Sequence, residues 1–460
     1  MIRLFLRAAA RLPVLLTVAG ALISLTLAAE GKPNIVVFLS DDHTAADSSV
    51  YGSKDVVTPS MERVARDGLV FDRAFVASPS CAPSRAALLT GLMPARNGAE
   101  ANHARPDANI KKLPAYLQEL GYEVVAIGKV GHYKQTAEYG FDYTAHMGYH
   151  EDVAVPAALD WLRARKSGKP LALFVGTNWP HVPWPEPEAG KAASEVVVPP
   201  TQVDTPATRE ARLRYYAGIA RMDAELGQVY DLAREKLGED TFFIHTSDHG
   251  AQFPFSKWTC YESGIRSPLI VVWPGVVKPG TRTNAMVSWV DILPTLLEAA
   301  GGTAPADLDG RSFLPVLRGQ SDSRREKIFV THSGDGNMNV YPTRAVRDRR
   351  WKLILNLHPE FQFNTHVNKG RAREEFYYWG SWTAKAESDP AAAAAVKRYH
   401  QHPALELYDL ESDPAELKNL AAEPAQAPRV KAMRAELEAW MRVQGDEGRV
   451  YGNPTLLPVR

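Results

Sequence analysis

The stretch KPNIVVFLSDD, Lys32–Asp42, is the part of the chain that decides the fold. It contains a short apolar run rich in β-branched residues, with Pro33 before it and an acidic pair after it. A short apolar run without polar alternation predicts a strand that is buried on both faces. Such strands are typical of parallel sheets that carry helices on both sides, so this stretch predicts an α/β fold.

Four later stretches have the same character: YEVVAIGK (122–129), LALFVGTN (171–178), TFFIHTSDHG (241–250) and SPLIVVWPG (267–275). Helix-like stretches lie between them: TPSMERVARDGL (58–69), LPAYLQELG (113–121), AALDWLRARK (157–166) and RYYAGIARMDAELGQVYDLAREKLG (214–238). Strand and helix therefore alternate, which predicts a large, mostly parallel central sheet covered by helices. The Pro- and Ala-rich segment 184–208 is expected to be a long loop.

The texture changes from about Tyr341. The stretches YPTRAVRDRRWKLILNL (341–357) and LELYDLESDPAELKNLA (405–421) predict antiparallel strands, and RVKAMRAELEAWMRVQ (429–444) predicts an amphipathic helix. We therefore expect a catalytic domain over residues 30–340 and a smaller C-terminal α+β subdomain over residues 341–460.

The first 29 residues have the layout of a secretory signal peptide: arginines at positions 3, 7 and 11, an apolar run over 14–27, then small residues. The run is short for a membrane span of ~20 residues, and no cysteine lies nearby to carry a lipid. The sequence thus predicts an exported protein, periplasmic or secreted, with no stable membrane anchor.

The charge balance argues against two classes of partner. The chain has 53 basic and 53 acidic residues, for a formal net charge of +0. Because there is no basic surplus, we expect no nucleic-acid or membrane-surface partner.

Two acidic pairs follow predicted strands. Asp41 and Asp42 come after the first strand, and Asp248 with His249 comes after the fourth. Ligands of open α/β sheets bind beyond the carboxyl ends of the strands, so both pairs are expected at one rim. Carboxylates placed together repel unless a cation lies among them, and oxygen-rich ligation favours Ca²⁺.

The stretch SPSCAPSRAALLTG (78–91) places Cys81 before a predicted helix that has Pro83 in its first turn and Gly91 near its end. A helix N-terminus favours an anion and activates a thiol, and Arg85 adds a charge suited to an oxyanion. A disulfide with Cys260, the second of two cysteines, is the alternative in an exported protein.

CAPSR followed by AALLTG resembles the type I sulfatase signature C-x-P-S-R-x-x-x-L-T-G. The companion motifs occur in the family's order: the Asp-Asp pair, GK plus a histidine, PH, SDHG, a lysine and GIRSP. The resemblance implies an alkaline-phosphatase-like sandwich and a formylglycine-dependent sulfatase. It also implies that a formylglycine-generating or sulfatase-maturing enzyme converts Cys81 to 3-oxoalanine (formylglycine). A hydroxyl of the hydrated aldehyde, activated by Ca²⁺, would then attack the sulfur.

The resemblance also implies roles for further residues. Lys129 would contact the nucleophile or the sulfate, and His132 would orient the hydrated aldehyde. His181 would bind sulfate or protonate the leaving group, and Lys257 would grip the sulfate. Asp41, Asp42, Asp248 and His249 would hold Ca²⁺.

Within the family, the C-terminal stretches are similar to the heparan N-sulfatases (sulfamidases), which implies N-sulfoglucosamine on heparan-type saccharides as substrate. The loop THSGDGNMNVYPTR offers four polar groups suited to sugar hydroxyls, namely His332, Asp335, Asn337 and Asn339. A plain turn is the alternative for this loop.

Three other functions stay open. An O-sulfatase acting on another sulfated glycan is one. A formylglycine-dependent phosphonate monoester or phosphodiester hydrolase is the second, because His249 stands where most sulfatases have asparagine. The third is a carbohydrate-binding protein in which Cys81 is bridged to Cys260.

Overall fold

The computed structural model describes residues 31–187, 192–370 and 376–458. The predicted signal peptide lies outside these ranges, as do residues 188–191 of the predicted long loop. Residues 32–460 form one compact unit. Within the described ranges, no helix has both the length and the apolar character needed to cross a membrane.

The central sheet has eight strands. They are β1 (Ile35–Ser40), β2 (Leu69–Phe75), β3 (Glu123–Gly128), β4 (Tyr143–Ala145), β5 (Leu171–Gly176), β6 (Phe242–Ser247), β7 (Leu269–Val272) and β8 (Thr281–Ser288). Their order is β4-β3-β5-β1-β6-β7-β2-β8, and β7 alone runs antiparallel to its neighbours. The five predicted strands are confirmed as β1, β3, β5, β6 and β7.

Three strands of this sheet escaped the sequence analysis. β2 carries Asp72 and Arg73 in its middle, and the first half of β8 is polar (Thr281–Asn284). β4 is only three residues long. All three lie toward the sheet edges, where one side of a strand is less buried and an apolar run is not required.

Helices cover the sheet: α1 (Pro59–Asp67), α2 (Cys81–Thr90), α3 (Pro94–Asn97), α4 (Leu113–Glu119), α5 (Ala154–Ala164), α6 (Pro206–Leu237), α7 (Glu262–Ile265), α8 (Ile292–Ala299), α9 (Leu314–Leu317), α10 (His366–Lys369), α11 (Tyr378–Ala386), α12 (Pro390–His400) and α13 (Ala427–Gln444). The four predicted helices appear as α1, α4, α5 and α6. α6 begins earlier than predicted, because Thr205 caps it by accepting a hydrogen bond from the Thr208 N–H (3.1 Å). The predicted loop therefore ends before residue 208.

A second sheet is antiparallel and contains β9 (Ile328–His332), β10 (Thr343–Arg347), β11 (Trp351–Asn356) and β12 (Leu405–Asp409), in the order β12-β11-β10-β9. Helix α13 packs on it through Met433 and Leu437. This sheet begins at Ile328, ahead of the expected boundary at 341, and the division into subdomains stays a prediction.

The carboxyl ends of four adjacent parallel strands form the rim that positions the site. β1, β5 and β6 are buried along their whole length, as their apolar sequences predict. At the ends of β3 and β5, Gly128 pairs with Gly176. A Cβ atom on Gly128 would lie 1.9 Å from the Gly176 carbonyl oxygen, and one on Gly176 would lie 2.2 Å from that of Lys129. The close approach of these two strands therefore requires glycine on both sides.

Candidate active site

Cys81 is the first residue of α2, whereas the sequence places it in the loop before the helix. The helix ends at Gly91, whose left-handed conformation (φ 68°) lets its N–H donate to the Ala87 carbonyl (2.9 Å). All ten helix residues are buried. The Asn102 side chain accepts a hydrogen bond from the Ala82 N–H (3.0 Å), so the helix start is held by an amide from another loop.

The Cys81 sulfur lies among ionisable groups. His249 Nε2 is 3.3 Å away, Lys129 Nζ is 3.7 Å away, and Asp41 Oδ1 is 4.0 Å away. Burial raises the pKa of the Cys81 thiol to about 12, although Lys129 and Lys257 oppose the rise. The unmodified sulfur is therefore protonated at neutral pH, which argues against simple thiolate catalysis.

Both cysteines are free and buried, so the bridged alternative is wrong for this structure. Cys260 lies elsewhere, beside Tyr341 and His402 in a small enclosed space.

Asp41 makes two ion pairs. Lys129 Nζ lies 2.5 Å from Oδ2, and Arg85 Nη2 lies 3.2 Å from Oδ1. Burial would raise the pKa of Asp41, but Lys129, His181 and Arg85 together hold it well below its usual value. These cations therefore favour the carboxylate form of Asp41.

Asp42 has a different balance of charges. Lys257 Nζ contacts both of its carboxylate oxygens (2.9 and 2.8 Å). Even so, burial and the nearby Asp41 and Asp248 raise the pKa of Asp42 to about 7. Its backbone N–H donates to Asp248 Oδ1 (3.0 Å), and φ is 66°. This strained backbone turns the carboxylate toward that of Asp248, which Arg85 contacts through Nε (3.0 Å).

The arrangement fits a divalent cation. Asp42, Cys81, Asp248 and His249 each offer one ligand atom, and these atoms lie within 4.8 Å of one another. His249 Nδ1 lies 3.0 Å from the Gly250 carbonyl oxygen, to which only an N–H can donate. Burial lowers the pKa of His249 to about 4, so Nε2 keeps its lone pair for a metal. Asp41 lies beside this group, with Oδ1 4.0 Å from the Cys81 sulfur, and pairs with Lys129 and Arg85.

His181 reaches the same group from the loop after β5. Its Nε2 is 3.8 Å from Asp42 Oδ2, and its Nδ1–H donates to the Val182 carbonyl (2.6 Å). Burial, with Lys257 and Lys129 nearby, lowers the pKa of His181 well below its usual value. The imidazole is thus neutral in the substrate-free protein.

His132 lies among aromatic side chains. Its ring packs edge-on against His103 and Tyr133, at 4.6 Å from each ring centre. In the described ranges it makes no hydrogen bond to Cys81, and Tyr133 is instead the neighbour whose Oη meets Lys129 Nζ (3.1 Å). A role for His132 in orienting the nucleophile stays a prediction.

The predicted substrate loop divides into buried and exposed parts. His332 and Asn339 are fully buried and hydrogen-bond each other (2.7 Å), so they build the loop. Asn337 is exposed. Asp335 is buried and accepts hydrogen bonds from Asn102 Nδ2 (2.9 Å) and Trp258 Nε1 (2.8 Å).

Asp335 therefore joins the loop that holds the start of α2 to the loop that carries Lys257. Asn102, Trp258, His103 and Tyr133 were missed by the sequence analysis. They come from separate loops without a motif, and only the proximity of Trp258 and Tyr133 to predicted site residues could have indicated them.

The Sulfatase family profile matches residues 33–302, well over half of the chain. The chain belongs to the sulfatase family. It is therefore a hydrolase of sulfuric esters or sulfamates. In this sulfatase, a second profile, that of the N-sulphoglucosamine sulphohydrolase C-terminal region, matches residues 249–366.

Two relatives illustrate the range of the family. The sulfatase is 32% identical to an ulvan-active sulfatase of Formosa agariphila, over 93% of this chain and 84% of the relative. It is 28% identical to human N-sulphoglucosamine sulphohydrolase, over 89% of this chain and 90% of the human protein.

Solved structures show the same alkaline-phosphatase-like fold. A protein bound to its substrate D-glucosamine-2-N,6-O-disulfate superposes on the sulfatase with a TM-score of 0.69 at 21% identity, over 91% of this chain and 99% of the other. The phosphonate monoester hydrolase of Agrobacterium radiobacter superposes with a TM-score of 0.70 at 18% identity, over 90% of this chain and 96% of the hydrolase. At these identities the likeness concerns the fold alone.

Proposed function

We propose that this sulfatase removes the N-sulfate from glucosamine at the non-reducing end of heparan-type saccharides, using formylglycine at position 81 and Ca²⁺. The observation that carries the proposal is the buried cluster of opposite charges around Cys81. The substrate class is supported by the C-terminal profile match at residues 249–366.

The charges of the cluster cancel without a ligand. Three carboxylates face three cations, namely Asp41, Asp42 and Asp248 with Arg85, Lys129 and Lys257. A divalent cation on the carboxylates would leave an excess of two positive charges. A sulfate ester or sulfamate group carries one negative charge and would offset half of that excess, so metal and substrate would each favour binding of the other.

Asp42, Asp248 and His249 would hold Ca²⁺, with Asp41 as the fourth predicted ligand, and the ion would lower the pKa of a hydroxyl at position 81. Formylglycine would supply that hydroxyl as a hydrated aldehyde, whereas the unmodified thiol stays protonated at neutral pH.

The protein's own residues orient the sulfuryl group. Lys129 and Lys257 lie on opposite sides of the cluster and can turn their ammonium groups from Asp41 and Asp42 to the sulfuryl oxygens. Arg85 keeps its bonds to Asp41 and Asp248 and fixes both carboxylates. Since all these groups are buried, their charges act at close range with little screening by water.

His181 can hold the proton for the leaving group. Burial and two nearby lysines keep its pKa low, and a sulfate placed between the lysines would oppose their effect and raise that pKa. Binding would thus convert a neutral imidazole into an acid positioned for the leaving nitrogen or oxygen.

An O-sulfatase acting on another sulfated polysaccharide is the second candidate, favoured by the 32% identity to the ulvan-active sulfatase. The third is a phosphonate or phosphodiester hydrolase, which His249 and the likeness to the Agrobacterium enzyme favour.

The substrate is tested by supplying terminal glucosamine N-sulfate and terminal glucosamine 6-O-sulfate separately and measuring released sulfate. We expect release from the N-sulfated compound. Release from the 6-O-sulfated compound alone would contradict the N-sulfatase proposal and favour the O-sulfatase. Hydrolysis of an aryl phosphonate in preference to an aryl sulfate would favour the third candidate.

The metal is tested by chelation. Removal of Ca²⁺ should abolish turnover and its return should restore it, while full activity without metal would contradict the proposed site.

We further propose that residues 1–29 direct export of the chain, because the enzyme that would convert Cys81 must act on the chain during export.

A further inference from the structure

A cleft away from the candidate active site is lined by arginines. It has a volume of about 260 Å³ and lies between β2 and β8 of the central sheet and the β10–β11 hairpin. Arg73, Arg266, Arg347 and Arg349 line it. None of the residues assigned to the candidate active site lines the cleft.

The carboxylates in the cleft already have partners. Glu262 accepts hydrogen bonds from Arg347 Nη1 (2.9 Å) and from Lys352 Nζ (3.1 Å). Burial favours a higher pKa for Glu262, but these two cations outweigh it and lower the pKa to about 2. Asp72 is paired with the Arg282 guanidinium, and Glu411, the third carboxylate that lines the cleft, lies 3.6 Å from Arg350 Nε. The acidic side chains therefore neutralise Arg347 and residues outside the cleft.

Three guanidinium groups are left without a carboxylate. Arg73 Nη1 donates to the Arg349 carbonyl (2.8 Å), and Arg266 Nε donates to the Asp72 carbonyl (2.9 Å). Within the described ranges, no carboxylate lies within 4.0 Å of Arg73, Arg266 or Arg349. Burial and the neighbouring arginines lower the pKa of Arg73, which reflects a local excess of positive charge.

We propose that this cleft binds a tetrahedral oxyanion, a sulfo or phospho group, through Arg73, Arg266 and Arg349. Guanidinium groups present paired N–H donors that match the oxygens of such a group. Arg73 and Arg266 are partly held by backbone carbonyls, which reduces the entropy lost on binding. Arg349 is exposed at the hairpin turn and can close over the anion.

The ligand chemistry has two sources, a free inorganic anion or a sulfo group of a saccharide chain. A saccharide chain bound here would be held at a second site, away from the end of the saccharide that reacts. Binding at the cleft does not depend on formylglycine, on Ca²⁺ or on the reaction proposed above, so the two proposals can fail separately.

The first experiment locates the anion directly. Crystals of the full chain are soaked in selenate, an isostere of sulfate that scatters anomalously. We expect a selenium peak between the Arg73 and Arg349 side chains, which an excess of inorganic phosphate displaces. The absence of a peak in the cleft would overturn the proposal, whatever is found near Cys81.

The second experiment distinguishes the sources. Calorimetry compares inorganic sulfate, inorganic phosphate and a heparin-derived oligosaccharide, using the Cys81→Ala background so that no turnover occurs. Arg73→Gln with Arg349→Gln should weaken binding of the occupying anion about 100-fold, as expected for loss of two charged hydrogen bonds at about ten-fold each. Arg66→Gln, an exposed arginine of α1 outside the cleft, is the charge-matched control.

Weaker binding of the saccharide in the double variant assigns the cleft to a sulfated chain. Weaker binding of the inorganic anions alone assigns it to a free ion. Equal affinity of the double variant and the Arg66→Gln control for all three probes would overturn the proposal. The single variant Arg349→Gln keeps the backbone carbonyl that accepts a hydrogen bond from Arg73. It therefore separates the effect of the lost charge from any disturbance of the hairpin. Turnover of a small aryl sulfate should be unchanged in the Arg73 and Arg349 variants.

Discussion

At the scale of single residues, Cys81 shows how burial limits chemistry. A thiol whose pKa is about 12 carries almost no thiolate at neutral pH, in spite of the two lysines nearby. The surrounding charges are thus useful to a nucleophile other than sulfur. Cys260 is buried as well, and burial raises its pKa to about 12, but no catalytic group adjoins it.

Substitution separates the two cysteines. Cys81→Ala should abolish sulfate release, because the nucleophile's precursor is lost, while Cys260→Ala should keep most of the activity and lose about 1 kcal/mol of stability as a small buried group is removed. Activity is measured with an aryl sulfate, and folding by circular dichroism. Intact mass should show that wild-type Cys81 has exchanged its sulfur for oxygen and lost two hydrogens, as expected when the thiol carbon becomes an aldehyde. Full activity of Cys81→Ala would contradict the proposed mechanism.

Asp335 is predicted to position the site without touching substrate. Asp335→Asn removes the negative charge that accepts from Asn102 and Trp258 at Oδ2 and faces His103 Nε2 at Oδ1 (3.2 Å), so these contacts lose their charge assistance. We expect kcat/KM to fall roughly ten-fold, the value of one charged hydrogen bond. Asn337→Ala, in the exposed part of the same loop, is the matched control and should change little. Equal effects of the two variants would show that Asp335 has no such role.

Much of the site could be predicted because its residues follow strand ends or belong to a dense motif. Asp41, Lys129 and Asp248 are each the first or second residue after a buried strand. The sequence predicts Asp335 as a sugar ligand but not as a buried acceptor between two loops, because sequence does not show which polar loop residues turn inward. His332 and Asn339 turned out to be buried structural residues.

At the scale of elements, strands β3 and β5 approach closely only because glycines end both of them. The position of Lys129 follows from that approach, since its N–H donates to the Gly176 carbonyl (2.9 Å). Strands β1, β3, β5 and β6 were predictable from apolar runs. β2 and β8 were not, because polar residues on one side interrupt the pattern.

Gly176→Ala tests this packing. The added Cβ atom would overlap the Lys129 backbone, so the strands must separate and Lys129 must move. We expect loss of more than about 2 kcal/mol of stability, typical of overpacking, and a fall in kcat greater than the rise in KM. Gly168→Ala, in an open turn with no neighbour within 4 Å, is the control. A Gly176→Ala protein with unchanged stability would contradict the predicted overlap.

At the scale of the whole molecule, a buried ion network joins the two sheets. Glu262, in α7 beside the central sheet, pairs with Arg347 and Lys352 of the second sheet. Lys352 is fully buried and also contacts Glu416 (2.5 Å). Sequence did not predict this link, because its members lie about 90 residues apart and belong to no motif.

Glu262→Gln should destabilise the protein by about 3 kcal/mol at pH 7, the usual loss when one partner of a buried pair is removed. The pKa of Glu262 is lowered from 4.5 to about 2, so its ion pairs stabilise the folded state above pH 4.5 and are lost as pH falls toward 2. The difference between wild type and variant should therefore shrink over that window. Denaturant unfolding at several pH values measures it, and a constant difference would contradict the assignment.

The burial of Cys81 at the start of α2 also sets an order of events in the life of the chain. With 2% of the residue exposed, position 81 is out of reach of a second enzyme in the folded chain. The conversion to formylglycine proposed above would therefore have to come first and folding second. A sample produced without the converting enzyme would then fold and stay inactive, and only unfolding it and refolding it in the enzyme's presence would recover activity.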